Sequence, residues 1–348
     1  MREPLVSVLI DAYNYGRFIE EAVESVLAQE FPREQMEILV VDDGSTDDTA
    51  ERVKKYGERV QYFYKPNGGQ ASAFNFGFAK ARGEIIALLD ADDYWLPGKL
   101  GRVVGEFQKN PALGMVYHNY LEVDDATKSS KEATFHDVSG SFTSPGDNIF
   151  WYEPCPTSCT AYRRVFLEKI LPVPDGLRIL ADTWIGLMIP FAAPIQAIPE
   201  CLTAYRLHGK NLYYAEEERL SPESRRERIA MAQIVIEGMQ SWLAKPEFRG
   251  SAQARAYVSR VLLYREKEQF LLETPGRLRY FRHLLLYNEC FERHISGRLR
   301  AINYAAALGT LVAGYKRREQ VRGWFERMAQ RVSRSRGMAG GGSPFTSR

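Results

Sequence analysis

Two groups of acidic residues, each directly after a short apolar run, are the residues of this chain best suited to chemistry. The first group is 42–45, Asp-Asp-Gly-Ser, after the run 38–41, and the second is 90–93, Asp-Ala-Asp-Asp, after the run 85–89. Carboxylates packed this densely repel one another unless a cation or hydrogen-bond donors compensate their charge. Hard oxygen ligands suit Mg²⁺ or Mn²⁺ better than zinc, so the pattern predicts a divalent cation together with a phosphate-bearing ligand.

Each group also has a plainer interpretation. Asp and Ser often cap helices, so the first group on its own is weak evidence for a binding site. A carboxylate there can instead accept hydrogen bonds from a nucleobase imide or a ribose, without a metal. In the second group, strand alternation would place Asp90 and Asp92 on the same side, where both could face one cation. The alternative is that these acidic residues are simply solvated in a loop.

The apolar runs before the two groups predict buried parallel strands, because they are short and rich in β-branched residues. The predicted elements up to residue 89 are strands at 6–10, 37–41, 60–64 and 84–89 and helices at 18–29, 48–56 and 71–81. This alternation predicts an α/β sheet with right-handed crossovers, and ligands of such sheets bind beyond the carboxyl ends of the strands. Both acidic groups should therefore face one crevice.

The rest of the chain changes character along its length. Further elements are predicted as helices at 96–107, 163–170 and 181–191, strands at 114–119 and 195–206, and a polar variable loop at 124–153. From about Ser221 onward, apolar residues recur at helical spacing, which predicts a helical C-terminal region. Its expected helices are 223–244, 252–273, 276–294 and 298–332, followed by a Gly/Ser-rich tail at 337–348 that is predicted to be disordered.

The composition predicts a globular protein without covalent staples. A chain of 348 residues, 45% of them hydrophobic, is long enough for one large or two medium domains with their own cores. The four cysteines have no paired C-x-x-C spacing, which argues against a zinc site and a disulfide framework. The first residues contain no apolar segment typical of a signal peptide. Reduced thiols in a cytoplasmic protein are the expectation.

Charge is concentrated at the C-terminal end. Residues 293–348 contain twelve Lys and Arg and two acidic residues, a net charge of +10, whereas residues 1–292 carry −8. The basic and aromatic stretch 316–331 is typical of a helix lying on an anionic membrane surface, and packing against the catalytic domain or a second subunit explains it equally well. The low-charge stretch 301–315 is shorter than the roughly twenty residues that a spanning helix needs. Nucleic acid is not an expected partner, because no recognisable binding module surrounds these basic residues.

The chain contains four motifs in a fixed order: SVLIDAYN at 7–14, VDDGSTDDT at 41–49, the segment 69–83 with its glycines, and LLDADD at 88–93. Together they resemble the motifs of the family 2 glycosyltransferases. The resemblance covers about residues 5–210. It implies a GT-A fold, which is a Rossmann-like, mostly parallel mixed sheet flanked by helices, here with a helical C-terminal extension. It also implies an inverting reaction, a nucleotide-diphosphate sugar as donor, and Mn²⁺ or Mg²⁺ as cofactor.

The resemblance assigns donor-binding roles to particular residues. Asp11, Ala12 and Tyr13 should border the nucleobase, and Asp43, together with Asp42, should bind its imide. The family usually has a proline near Asp11 or Ala12, and its replacement here leaves the nucleobase preference open. The other expected donor-binding residues are Gly69, Asn75, Asp90, Ala91, Arg206 and His208.

Metal ligands follow from the same resemblance. Asp92 corresponds to the metal-ligating aspartate of the family's Asp-x-Asp motif, and Asp90 and His208 complete the expected set. The family's Tyr-Arg-x-His segment, here 205–208, closes over the diphosphate, so Arg206 and His208 should also donate to phosphate oxygens. A single histidine more often has a structural role, which is the alternative for His208.

The expected base lies further along the chain. Inverting transfer needs one base that takes the proton of the acceptor hydroxyl on the face opposite the departing diphosphate. In the family this base belongs to a Glu-Asp pair that opens a helix, and the matching residues are Ala181 and Asp182. Asp182 is therefore the expected base, while Ala181 departs from the family pair. Alternatively, Asp182 only caps the helix together with Thr183.

The leading hypothesis is an inverting, metal-dependent glycosyltransferase that moves a sugar from a nucleotide-diphosphate sugar to a hydroxyl. A UDP-sugar is the expected donor. By analogy with the family, the acceptor is a saccharide or a lipid-linked saccharide of cell-envelope polysaccharide synthesis, which suits an enzyme peripheral to the inner face of the membrane. The alternative is an inactive nucleotide-sugar-binding or scaffold protein on the same fold. A phosphoryl-transfer domain is disfavoured, since the P-loop pattern is missing. The expected division is a catalytic domain at 1–215, a helical region at 216–336 and a tail at 337–348.

Overall fold

The structure is a computed structural model that describes residues 4–134, 137–142, 152, 154–209, 211, 221–248, 251–273, 275–291, 304–305 and 307–311. The chain divides into two compact units, one of Met1–Ser221 and Ala230–Arg255 and one of Pro222–Ile229 and Ala256–Arg348. The predicted domain boundaries at 215 and 336 stay predictions. The basic stretch 316–331 and the tail 337–348 lie outside the described residues.

A mixed sheet forms the centre of the first unit. The strands among its described residues are β1 (Val6–Ala12), β2 (Met36–Asp42), β3 (Gln61–Tyr64), β4 (Ile85–Asp90), β5 (Tyr94–Trp95), β6 (Met115–Asp124), β7 (Ser130–Ala133), β8 (Thr160–Arg163) and β9 (Ile195–Leu207). Their order is β3-β2-β1-β4-β8-β6-β9-β5, with β7 paired to β6. Strands β1 to β4 pair in parallel, and β8 joins β4 and β6 in antiparallel orientation.

Helices connect and flank these strands. They are α1 (Gly16–Leu27), α2 (Thr49–Lys54), α3 (Gln70–Lys80), α4 (Lys99–Lys109), α5 (Arg164–Leu167), α6 (Ala181–Ala192), α7 (Pro222–Leu243), α8 (Ala252–Leu272) and α9 (Arg277–Phe291). Residues of α7 and α8 belong to both units, whereas α9 lies in the second. The predicted α/β sheet flanked by helices is confirmed, and so is a helical C-terminal region. No helix within the described ranges is both long and apolar enough to cross a membrane.

The buried central strands fix the position of the acidic residues. Every residue of β2 is buried, and in β1 only Asp11 keeps partial exposure. The apolar side of α1 packs on this sheet, because its buried residues recur at helical spacing. In the register of the sheet, Asp11 pairs with Asp90, and Ala12 pairs with Asp42. Both predicted acidic groups therefore begin at one edge of the sheet, with the end of β1 between them.

Three strands differ from the sequence prediction. Strand β7 lies within the stretch predicted as a loop at 124–153, and it pairs with β6 although its own residues are polar and mostly exposed. Strand β8 occupies 160–163. The helix predicted from 163 to 170 is shorter in the structure, where only α5 (Arg164–Leu167) forms. The two-residue strand β5 was not predicted either. All three are short and are formed by pairing with strands distant in sequence, which local periodicity does not report.

Candidate active site

Three carboxylates meet in the turn after β4. The backbone N–H of Asp93 donates to the carbonyl of Asp90 at 3.1 Å, so the chain turns here instead of continuing the strand. Carboxylate oxygens of Asp90, Asp92 and Asp93 lie within 4.8 Å of one another. Asp90 and Asp92 were predicted to face one cation on the basis of strand alternation. Because the alternation ends at this turn, Asp93 joins them and was missed.

The partners of these carboxylates come from two other segments. The Ser158 hydroxyl donates to Oδ2 of Asp93 at 2.6 Å, and it also accepts the backbone N–H of Asp90 at 3.0 Å. The backbone N–H of Arg206 donates to Oδ1 of Asp93 at 2.9 Å. Nε2 of His208 lies 2.9 Å from Oδ2 of Asp92. The carboxylates of Asp92 and Asp93 are thus oriented by side chains and backbone of the protein, and Asp90 is held through its backbone N–H.

The electrostatics of this cluster fit a divalent cation. Burial, followed by the charges of Asp11 and Asp92, raises the pKa of Asp90 well above its usual range, and burial and Asp92 do the same for Asp93. Burial raises the pKa of Asp11 to about 7, and its Oδ1 is buried and has no hydrogen-bond partner within the part of the chain that the structure describes. These groups offer only oxygen ligands, and their negative charges repel one another. Mn²⁺ or Mg²⁺ prefers such ligands and would compensate their charge.

Asp182 lies in the first turn of α6, next to this cluster. Its Oδ1 accepts the backbone N–H of Thr183 at 2.7 Å, and its Oδ2 accepts the hydroxyl of Thr157 at 3.3 Å. Burial raises the pKa of Asp182 above its usual value. The charge of Asp182 in turn raises the pKa of both Asp11 and Asp90, so the three carboxylates share one electrostatic environment. Leu180 is the N-cap of α6 and makes no side-chain capping bond, so the bond between Asp182 and Thr183 is a contact within the first turn of the helix.

Asp43 faces the loop that leads into α3. Its carboxylate accepts the ammonium of Lys65 at 2.5 Å and the backbone N–H groups of Gly68 and Gly69 at 3.0 and 2.7 Å. Gly69 has φ +86° and ψ 174°, a backbone region essentially confined to glycine. This conformation aims its N–H at Asp43. A carboxylate has about four acceptor positions, and these donors make four contacts with Asp43, because the N–H of Gly68 also lies 3.2 Å from Oδ2.

Asp42 and Asn75 bind other parts of the protein. Asp42 is fully buried and accepts the backbone N–H of Ser45 at 2.7 Å and the hydroxyl of Tyr62 at 2.6 Å. The side-chain amide of Asn75 binds Val173 at both ends, donating to its carbonyl at 2.7 Å and accepting its N–H at 2.9 Å. These contacts hold the strand end and the loop before α6. The predicted donor-binding roles of both residues stay predictions.

Gln70 connects the loop that binds Asp43 to Asp182, the predicted base. Its Oε1 accepts the backbone N–H of Ala181 at 3.0 Å, and its own backbone N–H donates to the carbonyl of Arg178 at 2.9 Å. Because Gln70 directly follows Gly69, the loop that binds Asp43 is joined to the N-terminus of α6. Asp182 is thereby tied to the opposite side of the crevice.

Arg206 and His208 are held firmly in place. The Arg206 guanidinium donates to the carbonyl of Asp92 at 2.8 Å and to carboxylates of Asp125 and Glu21 at 3.2 and 2.5 Å, and its side chain is only 5% exposed. The His208 ring packs against Phe18, with ring centroids 4.9 Å apart. Arg206 therefore orients the turn that carries Asp92. Its predicted contact with phosphate stays a prediction.

The remaining predicted donor residues lie at the strand ends. Ala12 and Ala91 are buried, whereas the side chain of Tyr13 is 47% exposed just beyond β1. An exposed aromatic ring at the mouth of a crevice can stack on a nucleobase, and the buried alanines leave room for backbone approach. These positions agree with a ligand entering from the carboxyl edge of the sheet.

Comparison with known proteins identifies the family. Residues 7–171 match the family model for glycosyl transferase family 2. An uncharacterized glycosyltransferase of Nostoc sp. is 36% identical over 276 residues, which cover 76% of this chain and 82% of that protein. The chain belongs to glycosyl transferase family 2. The predicted resemblance is confirmed, and the protein is a glycosyltransferase.

Solved structures support the fold of this family 2 glycosyltransferase. S. aureus TarS 1–349, in complex with UDP-GlcNAc, matches with a TM-score of 0.63 and 19% identity, over 89% of this chain and 92% of that chain. The mannosyltransferase PcManGT of Pyrobaculum calidifontis, in complex with GDP-Man and Mn²⁺, matches with a TM-score of 0.53 and 20% identity, over 96% and 87%. Both likenesses concern the fold and confirm the predicted GT-A architecture. The chain spans 12 to 39% of the length of seven further curated relatives.

Lys99 is a residue of the glycosyltransferase site that sequence reasoning missed. It is the first residue of α4 and is fully buried, and its ammonium donates to the Ser158 carbonyl and, at 3.1 Å, to the Thr203 hydroxyl. The ammonium also lies 4.1 Å from the centre of the Trp95 ring. A lysine beside a Pro-Gly turn is usually exposed, so the sequence offers no signal for this contact.

Burial of Lys99 makes stability depend on pH. Burial lowers its pKa to about 7 in the folded protein, against about 10.4 in the unfolded chain. Between these values the unfolded chain binds a proton that the folded protein lacks, so stability should rise with pH. From about pH 7.5 to 9 the free energy of unfolding should increase by about 2 kcal/mol more in the wild type than in Lys99→Met. Urea unfolding at both pH values measures this difference, and parallel curves would contradict it.

Proposed function

We propose that this glycosyltransferase moves a sugar from a nucleoside-diphosphate sugar to a hydroxyl of a saccharide or lipid-linked acceptor, with inversion at the anomeric carbon. A UDP-sugar is the proposed donor. The observation that carries the proposal is the placement of Asp182 beside the grouped carboxylates of Asp90, Asp92 and Asp93, because the neighbouring residues Thr157 and Ser158 bind Asp182 and Asp93. One carboxylate for the acceptor and several for a cation are what single displacement requires. The complex of TarS with UDP-GlcNAc supports UDP as the nucleotide.

The proposed reaction uses Asp182 as the base. The acceptor oxygen forms its bond to the anomeric carbon while the bond from that carbon to the diphosphate oxygen breaks, and the diphosphate leaves with the electron pair. Asp182 takes the hydroxyl proton. Burial raises the pKa of Asp182, which brings its basicity closer to that needed for this transfer. The bonds from Thr157 and Thr183 fix the direction of its carboxylate.

The proposed cation site consists of Asp92, Asp90 and His208, with Asp93 added by the structure. A bound Mn²⁺ or Mg²⁺ would neutralise charge on the diphosphate. Its support is the close grouping of three carboxylates and the Mn²⁺ bound in the mannosyltransferase PcManGT. His208 lies beside Asp92, where it can serve as a ligand or donate to a phosphate oxygen.

The proposed nucleotide side of the crevice is formed by the ends of β1 and β2. Tyr13 would stack on the nucleobase, with Asp11 and Ala12 bordering it, and Asp43 would accept its imide N–H. Gly69 holds the loop that orients Asp43. Arg206 would act on the phosphates with its backbone already anchored to Asp93. These roles rest on family membership and on the positions of the residues at one edge of the sheet.

The proposed setting is the inner face of the cell membrane, in cell-envelope polysaccharide synthesis. The basic residues at 293–348 would contact anionic lipid. The second candidate is an inactive nucleotide-sugar-binding protein, which Ala181 supports because the family's glutamate is replaced. The backbone N–H of Ala181 is bound by Gln70, so the helix start is formed without that glutamate.

Donor hydrolysis tests the proposal. The protein is incubated with UDP-GlcNAc, GDP-mannose or a dTDP-sugar, with Mn²⁺ or with EDTA, and release of the nucleoside diphosphate is measured. We expect release that depends on Mn²⁺ and is fastest with the UDP-sugar. Thermal stabilisation by a donor without any release would favour the inactive binding protein. Equal release in EDTA would contradict the metal dependence.

A further inference from the structure

One short turn contacts both halves of the proposed active site. The 3₁₀ turn Thr157–Cys159 places the Ser158 hydroxyl 2.6 Å from Oδ2 of Asp93, and the Thr157 hydroxyl 3.3 Å from Oδ2 of Asp182. The two hydroxyls belong to neighbouring residues, so their separation is fixed by the backbone of the turn. Any shift of this turn would move the cation-site carboxylates and the base together.

Buried Lys99 anchors this turn from the protein interior. Its ammonium donates to the carbonyl of Ser158, and the Thr203 hydroxyl donates to the same carbonyl at 2.9 Å. With Thr203 at 3.1 Å and the Trp95 ring at 4.1 Å, each of the three N–H groups has an acceptor. The three partners of the Lys99 ammonium all belong to the protein.

Stability alone does not explain a lysine at this position. Among the described residues, no carboxylate lies within 4.0 Å of the Lys99 ammonium, although a buried cation is unfavourable unless it is paired. A methionine would occupy a similar volume and keep favourable contact with Trp95. The lysine is explained by what it holds, namely the Ser158 carbonyl.

We propose that Lys99 is a positioning residue of the active site, which fixes the turn Thr157–Cys159 so that Asp93 and Asp182 keep one separation. The inference rests on the proposed function and deepens it. Lys99 touches neither donor nor acceptor in this account, because it acts through Ser158 and Thr157. Its loss should therefore affect cation binding and turnover together, while the fold is kept.

Lys99→Met tests this role, with Lys109→Met as the matched control at the exposed end of the same helix. At pH 8.0 the Lys99 amine is largely neutral, because burial lowers its pKa to about 7, and its two remaining N–H groups still suffice for the Ser158 carbonyl and the Thr203 hydroxyl. The substitution therefore removes little charge. Misplacement by about 1 Å can lower a rate roughly a hundredfold, so we expect kcat to fall by about ten- to a hundredfold. Mn²⁺ binding, read from the EPR signal of free Mn²⁺, should weaken by about tenfold, with the melting temperature equal or higher.

The outcomes separate this inference from the proposed function. Turnover and Mn²⁺ affinity both within twofold of the wild type, in a folded variant, would overturn the positioning role. If Lys99→Met does not fold, Ser158→Ala decides instead: loss of both properties supports the inference, and loss of Mn²⁺ binding alone overturns it. A wild type that binds Mn²⁺ without donor turnover would refute the proposed function, while the Mn²⁺ comparison still decides the role of Lys99. A wild type that does not bind Mn²⁺ overturns the inference.

Discussion

Asp182→Asn should nearly abolish sugar transfer and leave donor binding intact. An asparagine amide keeps the shape of the side chain and can accept the backbone N–H of Thr183, but it cannot take the proton of the acceptor hydroxyl. Loss of a general base lowers the rate by about 10²- to 10⁴-fold. Steady-state turnover of the preferred donor measures kcat, and calorimetric titration with UDP and Mn²⁺ measures donor binding.

Asp175→Asn is the matched control for this substitution, because Asp175 is an exposed aspartate in the loop before α6. It should leave both measurements unchanged. Near-normal turnover in Asp182→Asn would show that another group is the base. A parallel loss of donor binding would mean that Asp182 supports the structure of the crevice, as its contact with Thr157 allows.

The main elements of the fold could be predicted because their sequence patterns are local. The runs that became β1, β2 and β4 are continuous and apolar, and α1 carries its buried residues at helical spacing. Strand β7 could not be predicted, since its residues are polar and its structure comes from pairing Ser130–Ala133 with Tyr120–Val123. Pairing of this kind depends on tertiary context, which outweighs weak local preferences.

The carboxylates of the candidate site could be predicted from the sequence, but the residues that hold them through hydrogen bonds could not. The aspartates belong to recognisable motifs, so the sequence could predict that Asp90, Asp92 and Asp182 lie near one another at the carboxyl ends of the strands. Ser158 and Lys99 act through hydrogen bonds to residues 45 to 104 positions apart, and no local pattern marks such partners. Arg206 was predicted from its motif to contact phosphate, but the motif does not indicate the partners of its guanidinium within the protein. These are the carbonyl of Asp92 and the carboxylates of Asp125 and Glu21.

Asp92→Ala should abolish the metal dependence of donor binding. The substitution removes one carboxylate from the group of three, together with the contact between Oδ2 of Asp92 and Nε2 of His208. Because removal of even an outer-shell partner of a metal ligand weakens metal binding by about 10- to 100-fold, loss of a direct ligand should weaken Mn²⁺ binding by at least about 100-fold. Calorimetric titration with UDP, with Mn²⁺ and then with EDTA, measures the effect.

The strength of this test lies in the contrast between the two titrations. The proposed contacts of the nucleobase with the end of β2 do not involve Asp92, so weak binding of UDP in EDTA should be equal in the variant and the wild type. Glu58→Ala, which removes an exposed carboxylate from the turn Gly57–Arg59, should keep the full gain from Mn²⁺. If Asp92→Ala also keeps that gain, the cation is bound elsewhere. If it loses binding in EDTA as well, the Asp92 side chain supports the nucleotide pocket itself, through its contact with Nε2 of His208.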